Sequence, residues 1–195
     1  GTRAVRFFDL DRDGHLDLIA GGTQQLRVFW GDGAGQFPQD TTMTTRGLVN
    51  AIDTGRVSFY NLRTIVFTES YVDYGWLSYL MNNNGRHLQY VTVIGPGGID
   101  TIYQPLFDLA VGDLDGNASH EVAAIRQSIS EPRLVVFADT SYGNHPWGHH
   151  DFYSLNVGHA YPGNSNIAMG RFSGGPLNDI LATSANSHTC MLLIN

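Results

Sequence analysis

Phe7-Phe8-Asp9-Leu10-Asp11-Arg12-Asp13-Gly14-His15-Leu16-Asp17-Leu18-Ile19 is the stretch on which the reading of the fold depends. Asp9, Asp11, Asp13 and Asp17 crowd four carboxylates into one short segment, and Gly14 sits where the chain must turn sharply. Anions this close repel unless something cancels their charge. A hard cation with oxygen ligands does so, and alternate loop residues aimed at one centre is how calcium loops are built. An EF-hand would need a bidentate acid where Ala20 stands, and helices on both sides. An acidic turn without an ion leaves the repulsion unbalanced. The flanks, Val5–Leu10 and Leu16–Gly22, are short, apolar and followed by glycine, which is strand punctuation. The loop therefore reads as a calcium loop joining two strands. Asp9, Asp11, Asp13 and Asp17 would supply side-chain oxygens, and His15 its backbone carbonyl.

The loop recurs. In Gly112-Asp113-Leu114-Asp115-Gly116-Asn117-Ala118-Ser119-His120-Glu121, the residues Asp113, Asp115, Asn117 and Glu121 fall where the first four acids do. Ser119 takes the carbonyl position of His15. The first loop, with four carboxylates against three and an amide, is expected to hold its ion more tightly. A third copy keeps Asp179 but carries Arg171, Ser173 and Gly175 at the other ligand positions. It reads as a loop that has lost its metal, with Arg171 placing a fixed positive charge there. A degenerate copy fits at Val57–Phe67, giving two strands and a metal-free turn. The repeat is then roughly 50 to 58 residues, the size of a four-stranded propeller blade.

Composition agrees with such a fold. Gly is abundant at 23 of 195 residues and only 15% are charged, which suits tight turns between strands. Net charge is −7 with no basic stripe, so nucleic acid is a poor partner. The single Cys190 excludes an internal disulfide framework and reads as a buried thiol in an apolar strand. No apolar run approaches the roughly 20 residues of a membrane span, and no signal peptide begins the chain. The chain starts inside a repeat, like a trimmed product.

The repeating apolar-Gly-Asp-Leu-Asp-Gly pattern, followed by an acid and a buried strand, resembles FG-GAP/VCBS-type repeats, the calcium-loop propeller repeats of integrin α-heads and some fungal lectins. The resemblance is closest at Phe7–Gly22 and Leu109–Ile125. The chain departs from the integrin form, with Ala20-Gly21-Gly22 and Ala124-Ile125-Arg126 where Gly-Ala-Pro would stand. The implied fold is an all-β propeller of four-stranded antiparallel blades, about four in this chain, divided near 1–46, 47–104, 105–160 and 161–195. The chain begins on an inner strand and ends on a third one, so these blades are expected to form part of a larger ring, seven being the usual family number. The remaining blades would come from the same chain, a cleaved fragment or another copy.

The implied function is an extracellular, calcium-stabilised module with two structural ions that binds a glycan or a protein surface. The alternative is the propeller part of a polysaccharide lyase or hydrolase, although no nucleophile–base motif is present. Trp30, Trp76 and Trp147 recur near the third strand of their units and are candidate sugar platforms, against a competing role in packing between blades. His145-Pro146-Trp147-Gly148-His149-His150-Asp151 reads as a surface turn, with a transition-metal cluster as the alternative.

Overall fold

The computed structural model describes residues 1–57, 63–71, 74–94, 106–117, 119–126, 133–138, 148–154, 165–184 and 189–195. Among these there are strands and turns and no helix. One sheet has six strands in sequence order, β1 (Thr2–Phe8), β2 (Asp17–Trp30), β3 (Gln39–Gly55), β4 (Thr64–Tyr71), β5 (Tyr74–Asn84) and β6 (His87–Ile94). A second contains β7 (Leu106–Gly112), β8 (Glu121–Arg126), β9 (Arg133–Ala138) and β10 (Gly148–Ser154). The third contains β11 (Ser165–Gly170), β12 (Asp179–Ser184) and β13 (Thr189–Leu193). All pairings are antiparallel.

The six-stranded sheet curls because two of its strands double back. A straight run from Asp17 to Gly31 would span roughly 45 Å. Yet the Gly31 N–H donates to Asp17 Oδ1 at 3.0 Å. The fold-back lies at exposed Thr23-Gln24-Gln25, where Gln24 has φ 54°. β3 also reverses. Gln39 and Asp53, fourteen residues apart, are both gripped at the Asp9–Asp17 loop end: Gln39 by Arg86, which also holds Asp11, and Asp53 by Arg6 of β1. The second reversal is at Thr45-Arg46-Gly47. There the Arg46 and Gly47 N–H groups donate to Glu69 Oε2 at 2.6 and 3.2 Å, and a Cβ on Gly47 would meet the Ser70 carbonyl at 2.3 Å.

With both reversals counted, the described strands form successive units of four, four, four and three antiparallel runs. Period-2 alternation then distributes the core. Ile65 and Phe67 of β4 face Leu10, Ile19, Trp30 and Val49, whereas Val66 faces Leu109, Val122 and Phe137. In β9, Val135 and Phe137 join that second cluster, while Leu134 and Val136 face Ile167 and Ile180. Each internal unit is thus apolar on both faces and packs between its chain neighbours.

Two acids inside apolar strands tie the units together. Asp53 Oδ1 accepts from its neighbour Thr54 N at 2.8 Å and Oδ2 from Val111 N at 2.9 Å. Asp108 does the same to Leu109 N and Ile167 N, both at 2.9 Å. Burial pushes both carboxyls above the usual range. Nothing in their local sequence advertised this, since each partner lies a whole repeat away.

Several sequence expectations need correction. The second unit opens on the arm ending at Gly55 rather than on Val57. Asn82-Asn83-Asn84-Gly85 reads from its residue types as a turn, but Asn82–Asn84 belong to β5 and the turn is Gly85-Arg86. β10 begins at Gly148, so His149, His150 and Asp151 lie in a strand and not in a turn; 145–147 fall outside the described residues. Cys190 is exposed. It alternates with Met191 and Leu193, which take the core face of β13, and so shares the outer face with Leu192 and Ile194, 43% and 70% exposed.

Candidate metal centres

Both acidic loops are built on side chain to backbone bonds two residues ahead, the turn that Asp and Asn favour. Asp11 Oδ1 accepts from Asp13 N at 3.3 Å and Asp13 Oδ1 from His15 N at 2.8 Å. In the second loop, Asp115 Oδ1 accepts from Asn117 N at 3.1 Å and Asn117 Oδ1 from Ser119 N at 2.8 Å. The fourth position of all three loops is left-handed: Arg12 with φ 67°, Gly116 and Gly174 each with φ 80°. Only glycine reaches that region without steric cost. Gly116→Ala should therefore cost about 1–2 kcal/mol, as urea unfolding of the variant will show.

The ninth position anchors each loop. Asp17, fully buried, accepts from Leu10 N at 2.8 Å as well as from Gly31 N. Glu121, 2% exposed, accepts from Leu114 N at 2.6 Å through Oε2. In the third loop Asp179 accepts from Ser173 N, Ser173 Oγ and Asn195 N at 2.7, 3.2 and 2.9 Å, and these donors hold its carboxyl below the usual range. Arg171 is exposed, and Asp179 draws its compensation from these donors.

Asp9, Asp11 and Asp17 bring carboxylate oxygens within 4.8 Å of one another, as do Asp113, Asp115 and Glu121. Asp13 lies outside the first group, turned to His15 N and Arg86. Asn117 lies beside the second, its Nδ2 donating to Asp115 Oδ2 at 2.8 Å. His15 and Ser119 occupy the matching later turn positions. Each cluster leaves one buried oxygen without a hydrogen bond, Asp9 Oδ1 and Glu121 Oε1. Buried oxygens of this kind call for a partner. All-oxygen donors with one orphan apiece fit a hard divalent cation.

The two sites differ in their surroundings, which the loops alone do not reveal. Arg63 Nη1 lies 3.2 Å from Asp9 Oδ2, and Arg86 Nε lies 2.8 Å from Asp11 Oδ2 with Nη2 3.5 Å from Asp13 Oδ2. Both arginines come from the following unit, and Arg86 also lies over the Trp30 ring. In the second loop Glu121 is pushed up to about 7, by burial first, with the Leu114 N–H opposing and the Asp115 and Asp113 charges adding. Trp30 is 1% exposed, its Nε1 donating to Thr41 Oγ1 at 2.9 Å, so it is a packing residue and not a sugar platform. Trp76 is half-buried in β5, and Trp147 falls outside the described residues.

No curated protein matches the chain. Against family descriptions, the match begins at Asp9 of the first acidic loop and runs through both strand reversals: residues 9–59 are similar to the FG-GAP-like repeat.

Proposed function

We propose that the chain is a calcium-stabilised, extracellular propeller module that binds a glycan or a protein surface, with blades near 1–46, 47–104, 105–160 and 161–195. The observation that carries this reading is the pair of carboxylate clusters, each with an orphaned buried oxygen, on equivalent loops of a repeated sheet unit. Asp9, Asp11, Asp13, Asp17 and the His15 carbonyl would hold one ion; Asp113, Asp115, Asn117, Glu121 and the Ser119 carbonyl the other. A bound cation cancels carboxylate repulsion and stabilises the loop that joins two strands. The chain's own residues do the rest: the position-nine acids tie loop to strand, and Asp53 and Asp108 tie unit to unit.

The further blades of the ring belong to this proposal. The outer face of β13, with Leu192 and Ile194 exposed, supports a covering neighbour. A glycan array and a protein-binding screen, run in calcium and in chelator beside a lyase and hydrolase assay on the same sugars, test the function. Calcium-dependent binding without turnover is expected. Turnover would make the chain part of an enzyme.

A further inference from the structure

A cleft of about 400 Å³ opens beside the first acidic loop, between residues 14–16 and the glycine-rich turn 31–37. Its volume is that of a small-molecule site. Phe7 and Phe37, 55% and 37% exposed, present aromatic rings to it, and His15, Asp32 and Gln36 supply polar groups. Large exposed rings beside convergent polar groups are unusual on a surface with nothing to bind.

The cleft is preformed. Asp17, next to Leu16 of one wall, accepts from Gly31 N of the other at 3.0 Å. Asp32 Oδ1 accepts from Ala34 N at 2.8 Å and Gln36 N at 3.0 Å, and Asp32 N donates back to the Gln36 carbonyl at 3.1 Å. Close packing sets its depth: a Cβ on Gly33, at φ 75°, would meet the His15 ring at 2.4 Å, and one on Gly31 the Leu16 carbonyl at 2.2 Å. No Lys or Arg lines it, while Asp32 does and Asp13 stands beside His15. An anionic ligand is therefore disfavoured. A neutral ring with one apolar C–H face and a rim of hydroxyls matches both the aromatic rings and the polar groups.

We propose that this cleft is a sugar-binding site that takes one neutral pyranose unit, with Phe7 and Phe37 against its C–H faces and His15, Asp32 and Gln36 at its hydroxyls. The proposal rests on the binding-module reading and gives it a place and a ligand class.

Saturation-transfer NMR on the full chain in calcium buffer, with a panel of neutral methyl glycosides, tests it. At least one glycoside should receive saturation from aromatic protons. Phe7→Ala and Phe37→Ala should each weaken it about two- to tenfold, the loss of one stacking contact, without moving the melting temperature. Phe37→Trp should restore binding. Glycoside binding that survives both alanine variants would overturn the site and leave the binding-module reading standing. Binding of tetramethylammonium with every glycoside silent would overturn the ligand class. So would silence towards both, and a protein partner found in the separate screen would show that the module binds elsewhere.

Discussion

Glu69→Ala should remove about 3–5 kcal/mol of stability, because it leaves hydrogen-bond donors at a buried strand reversal without their acceptor at about 1–3 kcal/mol each. Glu69 is fully buried in β4, and both its oxygens are in use. Oε1 accepts from Ser78 Oγ at 2.5 Å and Tyr90 Oη at 2.7 Å; Oε2 holds the reversal of β3 at Arg46 and Gly47. Alanine would take the acceptor from the Arg46 and Gly47 N–H groups, while the Tyr90 hydroxyl would keep Ser78 Oγ, at 2.9 Å, as its acceptor. Burial also raises the Tyr90 hydroxyl above its ordinary range, so it stays a donor at any working pH. Against a total stability of roughly 5–15 kcal/mol, the variant should unfold at far lower urea. Glu69→Gln keeps one acceptor oxygen and should recover part of the loss. A deficit under about 1 kcal/mol for alanine would mean that Glu69 does not hold the reversal.

Chelation should cost about as much, and its cost should depend on pH in a defined direction. An ion at a thousand times its dissociation constant stabilises the folded state by about 4 kcal/mol. In the chelated protein Glu121 titrates near 7, against an ordinary 4.5. A carboxyl whose folded pKa is raised holds its proton more tightly when folded. Its contribution is therefore fully present below about 4.5 and is lost as pH rises towards 7. With the cation bound, Glu121 is already ionised and this slope disappears. Melting curves from pH 4 to 8, with and without calcium, should converge at the acid end and separate towards neutrality. Parallel curves would exclude Glu121 from the site.

The alternating acids and their flanking strands were legible in the sequence because the loop is local: each acid is set by residues within nine positions of it. The strand rhythm was legible for the same reason. What escaped was long-range. Arg63 and Arg86 reach the first loop from more than fifty residues away, and Asp53 and Asp108 act on the next repeat. The reversal at 45–47 carries no glycine-pair turn signal, because its carboxylate partner, Glu69, comes from another strand. Cys190 was misread because a run of apolar residues hides which side faces out. At the edge of a three-stranded sheet, that face is open.

The arginines also bear on the expected order of affinity. Counting carboxylates favours the first loop. There, however, two guanidinium groups already offset the charge that a cation would neutralise, whereas among the described residues no arginine or lysine pairs with Asp113, Asp115 or Glu121. The second loop should bind more tightly, and Arg86→Gln should raise the affinity of the first. Calorimetric titration of the chelated protein with calcium tests the central claim most directly. Two ions per chain are predicted, the tighter one lost in Glu121→Gln and the weaker one lost in Asp11→Ala. No heat of binding, and no calcium by elemental analysis, would contradict it.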